Sequence, residues 1–443
     1  MTSDIVTSPA TRCPPGPRLP AVLQSWLYAR RRAGWLHKLR DQHGDVFMIR
    51  VKPYADRLVV LSNPEHVRQV FGAAATEVHG GEGNHLIAGL MGPSSVMVAD
   101  EAEHARLRRL LLPAFTGAAL RGYRAAITEI AESELETWAD QDDPVQTLAR
   151  MNAMALEMIL GVVFGVTDSH RRHELAPLLE QVVTIHPLVL AGLNWPRLRG
   201  IGPWARYRHT EARINGLLYA EITQRRRDPQ LAQRRDVLSR MLAVGTGDDE
   251  PLTDTEVRDQ LITLLLAGHE TTASALAWTL YELAAHPLVQ DRARRAVLDG
   301  DDRYIDALLR ESMRVHTVIG GTYRRLTTDM QFGDWLIPAG VYVTTSSLIT
   351  HRDPDLFDDP LAFRPERFLD GSVPSTAWYA FGGGVRRCPG AQFALLEGQL
   401  VLHAVLTRYT LSLPTGVEPA QHAVRNITHV PGNGAWILVR RIR

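Results

Sequence analysis

Cysteine is almost missing from this chain. Cys13 and Cys388 are the two among 443 residues, and they stand far apart. No disulfide framework can be built from them, and a four-cysteine zinc site is excluded by the count alone. Excess charge of one sign is missing too. Lys and Arg number 49 against 49 Asp and Glu, a formal charge of zero. The footprint of a nucleic-acid binder and a polybasic membrane tether are therefore both absent. Long apolar runs are lacking as well. Residues 1–20 are polar and proline-rich, without the apolar core of a secretory signal or the run of about 20 apolar residues that spans a bilayer. What remains is ordinary globular material, 45% hydrophobic and 22% charged, enough for a sizeable core. We expect a soluble, cytoplasmic protein without a membrane anchor.

At this length the chain could form two or three average domains or one large one. No repeat, charge block or linker divides it. The reading is a flexible proline-rich leader over 1–20, with Pro14–Pro17 as its rigid part, followed by one domain over 21–443. Phe47–Val51 and Leu58–Leu61 read as short strands bounded by Pro53 and by Asn63-Pro64. Helical patterns dominate from about residue 100 to 316, with helices predicted over 101–112, 118–139 and 147–165. Strand-like segments return after 320. The fold class is mainly α with smaller β-sheets.

The chemistry concentrates in two stretches. Phe381–Gly390 reads Phe-Gly-Gly-Gly-Val-Arg-Arg-Cys-Pro-Gly. Consecutive glycines let the backbone fold tightly and approach a flat ligand. Pro389 suits a first helical turn, and an apolar helical pattern follows to Leu406. Cys388 at a helix N-terminus would be favoured as thiolate. A lone thiolate on a loop suits an iron with a single protein sulfur ligand, and Arg386 could pair with a haem propionate. A lone buried cysteine is more often structural, and the spacing decides against that here.

The second stretch lies in a long helix that opens on a capping box, Thr253-x-x-Glu256, and stops at His286-Pro287. Ala267-Gly-His-Glu-Thr-Thr272 sits in its middle. Glycine weakens a helix interior by about 1 kcal/mol, and threonine hydroxyls bond back to the i−4 carbonyl. Gly268, Glu270, Thr271 and Thr272 together mark a site, where a widened turn would leave room for a diatomic ligand and a water. His269 reads as a core or solvent-facing histidine rather than an iron ligand. Elsewhere, His104 and Arg108 share one helix face, a pattern common on solvated surfaces, while Arg106 and Arg109 point away. Glu311-x-x-Arg314 is an ion pair of one helical turn.

The spacing Phe381, Gly384, Arg386, Cys388, Gly390 resembles the haem-binding signature of the cytochrome P450 superfamily. Ala267–Thr272 resembles its oxygen-activation motif. The resemblance covers roughly residues 15–443 and is to the soluble bacterial type, with no fused reductase domain. It implies a P450 fold with haem b (iron protoporphyrin IX) between the central helix and the cysteine loop with its following helix. Cys388 would be the axial iron ligand, and Phe381, Gly382, Gly390 and Ala267 would line the cofactor. His104, Arg108, Arg324 and Arg386 would hold the propionates, with Arg325 the weaker neighbour. Thr271 would orient bound oxygen and Glu270 would relay protons. Glu311, Arg314 and Arg367 would form a structural triad securing the cysteine loop.

Residues 74–100 resemble the loop that covers the substrate pocket, and His186–Trp204 reads equally as ordinary packing under a loop or as the family's mobile lid. Many relatives carry proline near Thr317. Here Gly320 and Gly321 follow and would loosen the segment. The implied function is a monooxygenase of secondary metabolism, inserting one atom of O2 into a hydrophobic small molecule by hydroxylation or epoxidation. NAD(P)H would supply electrons through a separate ferredoxin and its reductase, with Arg106, Arg109 and Arg387 as the docking face. Two alternatives stand beside it. One is peroxide-driven or other oxidative chemistry on the same fold, against which the acid–threonine pair argues. The other is a non-catalytic haem-binding or sensing protein, which would need no proton relay.

Overall fold

One helix, Asp254–Ala285, forms the axis around which the others pack, and its side chains are buried on nearly every side. The capping box predicted for it is present. Thr253 Oγ1 accepts the Glu256 N–H at 3.2 Å, and the Glu256 carboxylate accepts the Thr253 N–H at 2.7 Å. At 1.5 Å per residue the helix spans about 48 Å. His286 ends it, and Pro287 opens the next helix, Pro287–Asp299. The structure, a computed structural model, describes residues 13–138, 143–166, 168–183, 189, 192, 195, 197, 200–244, 250–425 and 427–442.

Helices Gly117–Glu136, Thr147–Met158, Gly202–Arg226, Asp302–Val315 and Ala391–Arg408 surround the axis. Ile127, Met151, Leu261, Leu280, Leu308 and Leu402 join in one apolar core between them. The helix predicted over 147–165 changes its winding at Ile159. There a π turn, Ile159–Val163, carries the chain on, with Phe164 N–H donating to Ile159 O at 2.9 Å. Among the described residues no helix is long and apolar enough to cross a membrane.

The strands are β1 (Val46–Val51), β2 (Ala55–Leu61), β3 (Val78–His79), β4 (Val145–Gln146), β5 (Thr322–Leu326), β6 (Met330–Phe332), β7 (Trp335–Ile337), β8 (Tyr342–Thr345), β9 (Tyr409–Ser412), β10 (His422–Arg425), β11 (Thr428–Pro431) and β12 (Trp436–Arg441). The largest sheet has the order β1-β2-β8-β5-β3, parallel at β2–β8 and antiparallel elsewhere. Alternation divides its faces. Phe47, Ile49, Leu58 and Val60 pack on Tyr28, Leu36 and Leu39 of helix Ala21–His43. Val46, Val59, Leu61 and Val343 pack on Leu326 and Phe332.

The described part of the leader is held against this sheet rather than free. Met48 N–H donates to Pro15 O at 2.8 Å, and the Gln24 amide donates to Leu19 O at 2.8 Å. Residues 1–12 lie outside the described residues, as does most of the lid expected over His186–Trp204. Trp204 itself belongs to helix Gly202–Arg226 and donates its indole N–H to Val189 O at 3.1 Å. Gly320 and Gly321 do not loosen their segment. A Cβ on Gly320 would stand 2.8 Å from Leu348, and one on Gly321 would stand 2.5 Å from Thr345 O, so both serve close packing.

Candidate functional site

The cysteine loop is shaped from behind. Gly382 and Gly384 hold positive φ of 66° and 61°. A Cβ on Gly383 would lie 2.3 Å from the Phe71 ring, and one on Gly384 would lie 2.0 Å from Phe71 O. The loop thus presses on the end of helix Pro64–Gly72, where only glycine backbone fits. Cys388 N–H donates to Phe381 O at 2.9 Å and closes the turn. The following helix begins at Ala391, so Pro389 stands in the turn before it rather than in its first helical turn.

Cys388 is reached by solvent yet densely surrounded by protein, as on the floor of a cleft. Burial pushes its thiol up, while the Gly390 N–H and the Arg108 and Arg387 cations pull it down. Helix position alone therefore does not deliver the thiolate expected from the sequence. Coordination to a metal ion would, because a bound metal deprotonates a thiol outright. Among the described residues, the one group of three or more ligand-type side chains close enough to share an ion is His79, Glu82 and Asp100, so Cys388 stands alone.

Beside the loop, cations converge. His104 is buried, and its imidazole is pushed down to about 4 by burial and by Arg386, Arg108 and Arg324. Burial and Arg386 lower Arg324 to about 10. Burial lowers Arg386 and Arg108 as well. Arg108 Nη2 also donates to Arg387 O at 2.6 Å, tying this cluster to the cysteine loop. One carboxylate answers these cations: Asp100, paired with Arg386 and accepting the Gly81 and Glu82 N–H groups at 2.9 Å each. Asp100 is a residue the sequence did not mark.

On the central helix, Ala267 is exposed and Leu264, Gly268, Thr271 and Ala275 are partly accessible, as is Leu266, while the other residues of 261–276 are buried. That spacing of three and four residues is one helix face. A Cβ on Gly268 would meet nothing within 4 Å. The helix is regular through this stretch, so the widened turn expected there does not occur. The threonine back-bond does: Thr271 Oγ1 donates to Ala267 O at 2.5 Å. Glu270 is buried, and burial raises its carboxyl pKa against the opposing pull of Thr428 and Arg425. His269 lies in the core, bonded through Nε2 to Asn152 O at 3.0 Å.

The segment Ser94–Val96 is pinned to this helix. Ser94 N–H donates to the Asp259 carboxylate at 2.9 Å, and Val96 N–H donates to Gln260 Oε1 at 3.0 Å. Asp259 and Gln260, polar residues inside an apolar helix, were the signal the sequence reading passed over.

Glu311, Arg314 and Arg367 are brought together. Glu311 and Arg314 are fully buried and paired through two bonds of 2.7 and 2.8 Å. Arg314 also donates to His351 O, Pro360 O and Ala362 O. Arg367 Nε lies 3.4 Å from Glu311 Oε1, which also accepts the Arg364 N–H at 2.8 Å. The proposed docking arginines are not alike. Arg387 and Arg109 are exposed, but Arg106 is engaged with Glu103 and Glu256 and braces the first turn of the central helix.

Comparison with known proteins agrees. The family model described as Cytochrome P450 matches residues 14–434. A protein of Mycobacterium tuberculosis (strain ATCC 25618 / H37Rv) provisionally named cytochrome P450 135A1 is 49% identical over 427 residues, covering 96% of this chain and 95% of that protein. One of Mycobacterium bovis (strain ATCC BAA-935 / AF2122/97) provisionally named cytochrome P450 135B1 is 35% identical over 438 residues, covering 97% and 92%. Among solved structures, the retinoic-acid-bound cyanobacterial CYP120A1 superposes with a TM-score of 0.86 at 25% identity, covering 98% of this chain and 100% of that one.

Proposed function

This chain belongs to the cytochrome P450 family of haem-dependent monooxygenases, and from that premise we propose that Cys388 is the iron ligand and that the substrate is an apolar small molecule. The convergence of His104, Arg108, Arg324 and Arg386 carries the reading. Four cationic or cation-competent groups around one carboxylate are short of negative charge. The two propionates of a haem would complete the balance as charge-assisted hydrogen bonds in a buried site. The accessible sulfur of Cys388 and the accessible face Leu264–Ala275 supply the two flat sides that such a group needs.

When bound, haem with a thiolate ligand supplies the chemistry of O–O cleavage and oxygen insertion. The chain does the rest. Gly382–Gly384 shape the loop that presents Cys388, and the Glu311 network reaches toward it through His351, whose ring accepts the Tyr379 N–H at 3.1 Å. Gly268 keeps the helix face open, and apolar side chains such as Leu264 exclude bulk water from it. Thr271 Oγ is the hydrogen-bond donor on that face, free to turn from Ala267 O. Burial raises the proton affinity of the neighbouring Glu270 carboxyl, which suits it to a relay. We place the reaction in the cytoplasm, as hydroxylation or epoxidation, with electrons from NAD(P)H through a separate ferredoxin and reductase. Arg387 is the docking cation that the cysteine loop itself presents.

The test is the carbon monoxide difference spectrum of the reduced protein beside a Cys388→Ser variant. A thiolate-type Soret band that the variant loses is expected. An imidazole-type band in folded wild-type protein would overturn the assignment and favour a sensing role.

A further inference from the structure

The first two turns of helix Ala21–His43 are inverted in polarity. Val22, Leu23 and Trp26 face solvent, Val22 at 79% and Trp26 at 51%, and Leu19 just before the helix is exposed as well. Gln24 is buried instead, its Oε1 accepting the Arg50 N–H at 2.8 Å, and Ser25 Oγ accepts the Lys52 N–H at 2.8 Å. Since successive helix residues turn by about 100°, Val22, Leu23, Trp26 and Arg30 fall within one face. Tyr28, Trp35, Leu36 and Leu39 of the same helix pack on the sheet and hold it in place. Single exposed apolar residues are ordinary, but Leu19, Val22, Leu23 and Trp26 together on one fixed element make a patch.

Around the patch the charge has one sign. Residues 13–40 hold six Lys and Arg and no Asp or Glu, a local excess that the zero charge of the whole chain conceals. Arg40 is paired with Asp45 and Asp353, and Arg32 lies over the Tyr28 ring at 4.4 Å. Arg18, Arg30, Arg31 and Lys38 are exposed, and none of them has an ion-pair partner among the described residues. A second copy of the chain is a poor occupant, because a two-fold contact would set these cations against themselves. With Gln24 and Ser25 engaged by the sheet, the face also lacks the directed hydrogen bonds that select one protein partner. What it matches is a surface that is anionic above and apolar beneath, a bilayer with acidic headgroups.

We propose that residues Leu19–Arg31 form a docking face for an anionic lipid bilayer. The helix lies in the plane of the interface and does not span it. Trp26 sits at headgroup level, where an indole is favoured, and Val22 and Leu23 enter the acyl boundary. Arg18, Arg30, Arg31 and Lys38 meet the headgroup phosphates. Apolar area and cations act together, so the attachment is reversible and weakens with salt. The helix is already fixed to its sheet, so docking orders little of the chain.

The test is co-sedimentation of the full-length protein with vesicles of phosphatidylcholine alone and with vesicles in which about one lipid in three is phosphatidylglycerol. Binding is expected to the second kind, about fivefold weaker in each of Arg30→Gln and Arg31→Gln, and reduced by salt. Trp26→Ser and Val22→Asp should each weaken it at least about tenfold. Brominated lipid should quench the fluorescence of wild type more than that of Trp26→Phe. Every altered side chain is exposed, so the variants should keep the thermal midpoint of wild type. Absence of binding to the anionic vesicles overturns the proposal, as does binding that all four variants leave unchanged. Dimerisation of wild type that Trp26→Ser abolishes would give the face to a second copy. Binding gained only on removal of residues 1–12 would give it to that segment, and either result overturns the proposal too. The readout is lipid binding, so it stands apart from the assignment of Cys388.

Discussion

Two clusters of charge in this chain are built on opposite plans. Around Glu311, every charge is answered from within the chain: Arg314 meets a carboxylate and three carbonyls, and Glu311 meets Arg314, Arg367 and a backbone N–H. Around His104, three arginines and an imidazole share one carboxylate. The first is a finished structure. The second is destabilised as it stands and made whole by an anion. A buried charge network therefore identifies a binding site not by its size but by its remainder.

The sharpest way to break the comparison is Glu311→Gln. Leaving Arg314 buried without its carboxylate should destabilise the fold by about 3–5 kcal/mol, measured by denaturant unfolding with haem absent and present. A loss below about 1 kcal/mol would mean the network is not buried in solution. Arg324→Met should do the reverse. Removing one cation relieves repulsion, so the haem-free protein should unfold no earlier than wild type. Haem should be released about tenfold to a hundredfold more readily, as expected for a lost charge-assisted bond, when transfer to apomyoglobin is followed. Equal destabilisation with and without haem would erase the distinction.

Acid sharpens it further. The folded pKa of His104 is depressed to about 4 from an unfolded value of about 6.5. The unfolded chain then binds the proton more readily, so stability is full above about pH 6.5 and declines as pH falls toward 4. His104→Gln should flatten part of that decline in the thermal midpoint of the haem-free protein. Bound haem should flatten it too, because propionates stabilise the protonated imidazole. The smallest effect concerns the rim. Arg387→Glu should slow reduction by ferredoxin severalfold, with unchanged substrate-induced spin shift, and high salt should shrink the difference. Arg106→Glu should act mainly through lost bracing of the central helix.

The sequence disclosed those parts of the site whose spacing is itself the chemistry. The Phe381–Gly390 run, the Glu–Thr pair and the capping box at Thr253 could be placed because each works over a few residues. Asp100, Asp259, Gln260 and Arg425 could not, since each meets its partner across a long loop: Arg425 is 155 positions from Glu270. The described part of the proline-rich leader and the Gly320–Gly321 pair misled for the same reason. Such segments announce the lack of regular structure, and only the packed neighbour shows whether they are held. The thiol of Cys388 is similar: the helix dipole was legible, the burial opposing it was not.

The contact between the cysteine loop and Phe71 bears on which variants of this chain evolution could reach. At position 383 the obstacle is the Phe71 ring, so a side chain there is forbidden until residue 71 shrinks, and the two positions can change only in that order. At position 384 the obstacle is the carbonyl of the same residue, with the backbone at positive φ, and no substitution at 71 removes either. Two neighbouring glycines thus differ in kind: one sits behind an epistatic lock with a key, the other at a dead end.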